Sequence, residues 1–208
     1  MRQLVLASKN AGKIAELERL LGKYASNIKV LGLSDFPDMP EVVESGKSLS
    51  ENAWLKAKQI SNFSTLPTLA DDSGLFIDAL DGQPGIYSSR WAGYEGSDSR
   101  QKDQLNISKA LSELANIPVG NRGAQFKTIV AFYKPNSDGS FIEHEQLGVL
   151  SGQISQRAIG EFGFGYDPIF IPDGFKETLA QLGPGVKDEV SHRSLALRAI
   201  APFLLDHI

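Results

Sequence analysis

Two adjacent aspartates in Asp71-Asp72-Ser73-Gly74 follow an apolar stretch and are the strongest candidates for chemistry in this chain. Neighbouring side chains of an extended chain point to opposite sides, so we expect one carboxylate to face any given ligand. A hard cation such as Mg²⁺ needs one or two protein carboxylates, because phosphates and waters complete its octahedron. The segment predicts a site that holds a metal ion against phosphates. The alternative is a polar turn closed by Gly74.

A second candidate is the loop Ser8-Lys9-Asn10-Ala11-Gly12-Lys13, between a predicted strand and a predicted helix. A helix N-terminus offers backbone N–H groups and the positive end of its dipole to an anion. Lys9 and Lys13 oppose that dipole, so they make more sense beside bound phosphate. The loop is not a Walker A motif, since its first glycine is absent and Ile14 replaces the Ser or Thr. Taken alone, it could be a solvated loop with surface lysines.

Two further segments could complete a ligand site. Glu41 and Glu44 could supply a second carboxylate, although either could equally be an exposed acidic residue. Gly163-Phe164-Gly165-Tyr166-Asp167-Pro168 alternates glycine with aromatic residues. Its glycines allow a ligand close to the backbone, and Phe164 or Tyr166 could stack on a planar base. The alternative is a bulged strand with packed aromatic rings.

Ser191-His192-Arg193 lies at a predicted helix start, with Ser191 as a candidate N-cap and Lys187 shortly before it. His192 and Arg193 are unfavourably placed for the helix dipole unless they serve a ligand. A His-Arg pair can also be a plain surface feature. The chain's three histidines form no metal-binding pattern, and no Ser/His/Asp triad spacing is present.

Alternating strand and helix patterns must position these candidates. We predict an α/β protein with a mixed sheet. The predicted strands are Gln3–Ala7, Lys29–Leu33, Leu66–Ala70, Leu75–Leu80 and Gln125–Lys134, followed by an extended run through Gly148. The predicted helices are about Lys13–Leu21, Ser48–Ser61 behind a capping box, Asp98–Leu114 and Ser191–Leu205. Asn52, Lys56 and Gln59 form a polar ridge on the second helix.

The composition is that of an ordinary globular protein. The 208 residues are 41% hydrophobic and 22% charged, and the net charge of -4 gives no overall attraction to nucleic acid polymers or anionic membranes. The absence of cysteine excludes disulfides and thiolate chemistry. No apolar run approaches the ~20 residues of a membrane span, and the N-terminus lacks a signal-peptide pattern. We therefore expect a cytoplasmic protein.

Six segments occur together in an order that resembles the inosine/xanthosine triphosphatases, the pyrophosphatases of non-canonical purine nucleoside triphosphates. The similarity runs from the first strand to the last helix. The segments are Ser8–Lys13, Glu51-Asn52-Ala53 with Lys56-Ala57, Ala70–Leu75, Pro84-Gly85-Ile86-Tyr87-Ser88-Ser89-Arg90, Phe164–Pro168 and Ser191-His192-Arg193.

The resemblance implies a fold, an activity and an assembly. The fold is one domain over residues 1–208, an elongated mixed β-sheet with flanking helices and two lobes around a central nucleotide-binding cleft. The activity is Mg²⁺-dependent hydrolysis of ITP, dITP and XTP to the monophosphate and pyrophosphate, which cleans the nucleotide pool. The protein is expected to be a homodimer that binds no nucleic acid polymer and no membrane.

The resemblance also assigns roles to residues. Asp72 matches the catalytic proton acceptor and a metal ligand, and Glu44 matches the other metal ligand. Triphosphate contacts are expected from Ser8, Lys9, Asn10, Ala11, Gly12, Lys13, Lys56 and Ser73. Nucleoside and base contacts are expected from Phe164, Gly165, Tyr166, Asp167, Lys187, His192 and Arg193. His192 and Arg193 as donors would favour a 6-keto base over adenine. Asp71 is expected to be a supporting carboxylate.

One segment departs from the family pattern, which usually has a charged, helix-compatible stretch between Leu179 and Lys187. This chain reads Ala180-Gln181-Leu182-Gly183-Pro184-Gly185-Val186, which argues against a helix there. The departure puts the placement of Lys187 in question.

Two other functions fit parts of the sequence. A Maf-type pyrophosphatase of different base preference is the rival enzyme, and the segments around Phe164 and His192 favour the purine enzyme over it. A nucleotide sensor without catalysis is the second rival. Retention of both Glu44 and Asp72 argues against a sensor.

Overall fold

The computed structural model describes residues 2–24 and 27–208 and has an α/β fold. The strands are β1 Arg2–Leu6, β2 Ile28–Leu31, β3 Thr68–Ile77, β4 Pro84–Gly85, β5 Gly123–Pro135, β6 Phe141–Ile154 and β7 Phe170–Pro172. The helices are α1 Ala11–Tyr24, α2 Leu49–Ser64, α3 Ser99–Glu113, α4 Leu179–Val190 and α5 His192–His207.

The sheet has the strand order β2-β1-β3-β5-β6-β7, with β4 beside β3. β1 is parallel to β2 and β3, whereas β4 is antiparallel to β3 and β7 is antiparallel to β6. The predicted α/β class with a mixed sheet and flanking helices is therefore confirmed.

The chain forms two compact units, each built from separated segments. Unit 1 contains residues 1–72, 128–148 and 193–208, and unit 2 contains residues 73–127 and 149–192. In unit 1, Leu4 and Leu6 of β1 share one buried cluster with Leu197, Ile200 and Leu204 of α5. In unit 2, buried side chains of β3, α3, β5 and β6 form a core that includes Leu75, Ala110, Phe126, Ile154 and Tyr166.

The helix starts follow local sequence signals. Asp98 caps α3 by accepting the N–H groups of Arg100 and Gln101. Ser48 caps α2 by accepting the Glu51 N–H at 3.1 Å, as predicted. The Glu51 carboxylate differs from the predicted capping box, because it accepts the Lys47 N–H at 2.7 Å.

The prediction of two strands around Asp71–Gly74 is wrong. β3 runs without interruption from Thr68 to Ile77, so the aspartates lie inside a strand. Gly74 is required by crowding, since a Cβ there would lie 2.3 Å from the Gly85 carbonyl oxygen of the neighbouring β4. The polar residues resemble a turn in sequence, but β3 is paired with neighbouring strands of the sheet, which keeps the segment extended.

The prediction of no helix around Gly183-Pro184-Gly185 is partly wrong. Helical residues stand on both sides of Gly183, which breaks the helix with a φ of +74°. Pro184 then opens the second helical piece, where its missing N–H is not needed. Lys187 therefore lies on a helix that extends to Val190.

Candidate functional site

The loop before α1 is organised by its own side chains. Ser8 Oγ accepts the Asn10 N–H at 3.2 Å, and Asn10 Oδ1 accepts the Lys13 N–H at 3.1 Å. The Asn10 carbonyl accepts the Ile14 N–H, so Asn10 acts as the N-cap of α1. Ala11 and Gly12 are the first two residues of the helix. The predicted anion loop thus joins the positive end of a capped helix in unit 1.

Four side chains of unit 1 form what we call the Asp71 cluster: Lys13, Glu16, Asp71 and Arg193. Lys13 Nζ lies 2.8 Å from Asp71 Oδ2, and Arg193 Nε lies 3.3 Å from the same oxygen. Arg193 Nη1 lies 3.1 Å from Glu16 Oε2. Burial would raise the pKa of Asp71, but Lys13 and Arg193 outweigh it and lower that pKa below its usual range. Asp71 is therefore a buried anion held by cations.

The neighbouring carboxylate belongs to a different group, the Asp72 cluster: Glu44, Asn52, Lys56 and Asp72. Lys56 Nζ lies 2.8 Å from Glu44 Oε1 and 3.1 Å from Asp72 Oδ1. Asn52 Nδ2 donates to Asp72 Oδ2 at 3.3 Å. Lys56 also donates to the Asp71 carbonyl oxygen at 2.6 Å. The two side chains of the aspartate pair thus have separate partners, as the alternation of a strand predicts.

Effects of opposite sign act on the pKa values of Asp72 and Lys56. Burial raises the pKa of Asp72, Lys56 and Lys13 lower it, and Glu44 raises it; the net pKa is above the usual range. Burial alone would lower the pKa of Lys56, but Asp72, Asp71 and Glu44 together raise it. Asp72 is therefore a stronger base than an ordinary aspartate, whereas Lys56 stays an ammonium ion.

The donor set of the Asp72 cluster suits a hard divalent ion. Glu44 and Asp72 converge on one cationic atom, Lys56 Nζ, and two carboxylates are what Mg²⁺ takes from a protein when phosphates and waters fill its other positions. No group of three or more His, Asp or Glu side chains within residues 2–24 and 27–208 is arranged to hold a metal ion. Glu41 instead pairs with Lys9 at 2.8 Å, and both side chains are exposed.

The residues of the polar ridge predicted on α2 differ in burial. Asn52 and Lys56 are buried and reach Asp72, whereas Gln59 is exposed. Asn52 Oδ1 also accepts the Gly46 N–H at 2.8 Å, which ties the loop that carries Glu44 to the helix. The ridge therefore supplies two members of the Asp72 cluster.

In unit 2, the segment Phe164–Asp167 is fixed by carboxylates. Asp167 Oδ2 accepts the Phe164 N–H at 2.9 Å and the Lys187 ammonium at 2.6 Å. Lys187 Nζ also lies 4.4 Å from the centre of the Phe164 ring. Three of the predicted base contacts are therefore mutual neighbours. We call Phe164–Asp167 the nucleobase segment, after its predicted ligand.

The two aromatic residues of this segment differ in exposure. Tyr166 is 5% exposed, its ring belongs to the core of unit 2, and its hydroxyl donates to the Ser88 carbonyl oxygen at 2.9 Å. Phe164 is half-buried. Of the two predicted stacking residues, Phe164 is the better placed to meet a ligand.

In the sequence, the remaining predicted residues lie next to the boundaries between the two units. His192 is buried in unit 2 and stacks on Phe126, with ring centres 4.8 Å apart and planes 7° apart. Ser73 is half-buried in β3. Arg193, predicted as a base contact, directs two of its guanidinium nitrogens to Asp71 and Glu16 in unit 1.

Several members of these groups were missed from the sequence. Glu16 looks like any helical glutamate, and Phe126 looks like any strand aromatic residue. Asp103 carried a usable signal, because aspartate is a poor helix former in the interior of a helix. Its carboxylate accepts the Gly165 N–H at 2.7 Å.

Unit 1 of this mixed α/β fold thus holds buried carboxylates paired with ammonium groups and a capped helix start, which are groups that can bind a cation and an anion. The model of the Ham1 family matches residues 4–203, and the chain belongs to this family. A dITP/XTP pyrophosphatase from Shouchella clausii is 40% identical over 96% of this chain and 95% of its own length.

Solved structures agree with this assignment. The Ham1 protein of Coxiella burnetii has a TM-score of 0.84 and 36% identity, covering 99% of this chain and 100% of its own. The Ham1 protein of Staphylococcus aureus has a TM-score of 0.83 and 35% identity, with full coverage of both chains.

No helix of the described residues is long and apolar enough to cross a membrane.

Proposed function

We propose that this protein hydrolyses ITP, dITP and XTP to the nucleoside monophosphate and pyrophosphate. The observation that carries the proposal is the Asp72 cluster, in which a buried carboxylate of raised pKa lies with Lys56 and Glu44. Relatives that are about 40% identical over nearly their full length are dITP/XTP pyrophosphatases, which supports the same activity here.

The reaction needs a water molecule to attack the α-phosphorus while the bond to the β-phosphate oxygen breaks. Asp72 would accept the proton of that water, and burial and Glu44 make it a better acceptor by raising its pKa. Lys56 would stabilise the charge that develops on the phosphates, since phosphoryl transfer depends on positioning and charge neutralisation.

We propose that Mg²⁺ is the cofactor and that Glu44 and Asp72 hold it. When bound there, Mg²⁺ would neutralise phosphate charge and lower the pKa of a coordinated water. Asn52 would keep the Asp72 carboxylate oriented through its bond to Oδ2.

We assign triphosphate binding to the Ser8–Lys13 loop, Lys56 and Ser73. Asn10 fixes the start of α1 so that the amides of Ala11 and Gly12 stand at the positive end of the helix. Lys9 would exchange its exposed Glu41 partner for phosphate, because an exposed ion pair is worth at most about 1 kcal/mol.

We assign base selection to the nucleobase segment together with Lys187, His192 and Arg193. A 6-keto base presents an acceptor where adenine presents an amino donor, so donors in the site would reject adenine. Phe164 is the candidate stacking surface. Guanine shares the keto group, so its exclusion would come from pocket shape or from contacts around the 2-position.

Pyrophosphate release from ITP, dITP, XTP, GTP and ATP, with and without Mg²⁺, tests the function. We expect rapid turnover of ITP, dITP and XTP with Mg²⁺ and slow turnover of ATP. Comparable turnover of ATP and ITP would contradict the proposed base selection. Preference for a modified pyrimidine would favour the Maf-type alternative, and binding without turnover would favour a sensor.

The homodimer stays a prediction from the family resemblance, and the cytoplasmic location stays a prediction from the sequence. Sedimentation of the purified protein at micromolar concentration tests the first, and fractionation of cells tests the second.

A further inference from the structure

Two consecutive backbone N–H groups of the nucleobase segment are each bound by a carboxylate. Asp167 accepts the Phe164 N–H, and Asp103 accepts the Gly165 N–H at 2.7 Å. Gly165 has a φ of +59°, a conformation that favours glycine, and a Cβ would meet no atom within 4 Å. The glycine is therefore needed for backbone shape, and this shape orients the amide toward Asp103.

Asp103 reaches the segment from a well-anchored helix. It is the fifth residue of α3, whose start is capped by Asp98. One turn further on, Asn106 accepts the Ala92 N–H at 2.8 Å and donates to the Ser89 carbonyl oxygen at 3.3 Å. Neighbouring side chains thus hold this part of α3 in place within unit 2.

The helix itself gains little from an aspartate at this position. Aspartate has low helix propensity, and the fifth residue lies past the first turn where a negative charge is favourable. Asp103 is also partly buried, and burial, together with Asp167, raises its pKa although the Gly165 N–H lowers it. Its one described hydrogen bond to the backbone is the bond to the nucleobase segment.

We propose that Asp103 is a positioning residue for base recognition, which holds the Phe164–Gly165 peptide so that the Phe164 ring can stack on the purine. Asp103 acts through the backbone of the segment and does not touch the substrate. Asp167 holds the preceding peptide through the Phe164 N–H, and Lys187 contacts the Phe164 ring, so loss of Asp103 frees the peptide that follows Phe164. The proposal rests on the purine triphosphate function given above.

The test measures base affinity and phosphate affinity separately in Asp103→Ala. We expect the Kd for IMP, measured by titration calorimetry with Mg²⁺, and the KM for ITP to rise about tenfold, as the loss of a hydrogen bond to a charged group allows. We expect kcat and the inhibition constant of inorganic pyrophosphate to change by less than about threefold, because the proposed phosphate contacts come from other residues.

Matched variants separate positioning from general damage. Asp103→Asn keeps an acceptor oxygen at the same reach and should restore the IMP Kd to within about threefold of the wild type. Glu113→Ala removes an exposed carboxylate from the same helix and should change neither constant. If Asp103→Ala does not fold, Asp103→Ser against Asp103→Asn makes the same comparison.

The outcomes are distinct. An unchanged IMP Kd in Asp103→Ala, an equal loss of IMP and pyrophosphate affinity, or a failure of Asp103→Asn to restore binding would each overturn the positioning role. A wild-type protein that releases no pyrophosphate from ITP or XTP would instead refute the proposed function.

Discussion

The Asp71 cluster and the Asp72 cluster surround neighbouring residues of one strand, yet their electrostatics are opposite. Asp71 lies between Lys13 and Arg193, and its pKa is lowered. Asp72 shares one ammonium ion with a second carboxylate, and its pKa is raised. A carboxylate with two cationic partners is a poor base. A carboxylate that shares a single cation with another carboxylate can take a proton or a metal ion. The comparison shows how a strand's alternation gives adjacent carboxylates opposite surroundings, which fit a supporting role for Asp71 and the proposed catalytic role for Asp72.

The largest expected effect is the loss of catalysis in Asp72→Asn. We expect kcat for ITP to fall roughly 10²- to 10⁴-fold, because a general base typically contributes that factor. Pyrophosphate release measures it. Asp138→Asn makes the same chemical change in an exposed turn of unit 1 and should leave kcat unaltered. Undiminished activity in Asp72→Asn would remove Asp72 from the mechanism.

A substitution in the Asp71 cluster should lower the stability of the folded protein. Asp71→Asn leaves Lys13 and Arg193 buried without their shared anion, so we expect the free energy of unfolding to fall by about 3 kcal/mol. Denaturant unfolding monitored by Trp fluorescence measures the change. A loss below about 1 kcal/mol would show that the ion pairs are not the main support of Asp71.

Glu44 and Glu41 can be compared by the Mg²⁺ concentration that each variant needs for activity. We expect Glu44→Gln to raise the Mg²⁺ concentration for half-maximal activity by about tenfold, since it removes a carboxylate that shares Lys56 with Asp72. Glu41→Gln disrupts only an exposed pair with Lys9 and should leave this concentration unchanged. Equal responses of the two variants would contradict the assignment of Glu44.

The smallest effect is a pH dependence of the metal-free protein. The raised pKa of Asp72 means that its stabilising contribution is present below the usual aspartate range and is lost as the pH rises through the folded pKa. Asp71 contributes stability above the usual range and loses it only as the pH falls through its lowered pKa.

Unfolding free energies in the presence of a chelator, from pH 7 to pH 4, test this contrast. We expect the wild type to gain stability relative to Asp72→Asn as the pH falls. Its advantage over Asp71→Asn should persist across most of this window. Parallel curves for the two variants would show that the aspartates do not differ.

The sequence predicted most of the regular elements because their patterns are local. The Ser48 cap, the periodic apolar residues of α1 and the β-branched run of β5 each specify their own structure. Asp71–Gly74 resembled a turn because polar residues and glycine usually mark one, and only distant partners explain why it is extended.

The members of the Asp72 cluster were candidates from the sequence, but their pairings were not predictable. The residue types singled out the aspartate pair, the polar ridge with Lys56, and Glu41 or Glu44, and the resemblance chose Asp72 and Glu44 among them. Two carboxylates share Lys56 because α2 packs against β3. The spacing of residues in the sequence does not predict this packing. Arg193 shows the limit most clearly, since its donors suggested a base contact while the structure places two of its nitrogens on Glu16 and Asp71. Its base contact stays a prediction.

The shared cluster of β1 and α5 has a consequence for synthesis. Leu4 and Leu6 leave the ribosome long before their partners Leu197, Ile200 and Leu204, which lie far along the sequence. The core of unit 1 is therefore completed late, and the apolar side chains of β1 lack part of their cover until α5 is free. Shortening the chain before α5 should give a product that aggregates rather than a smaller folded unit.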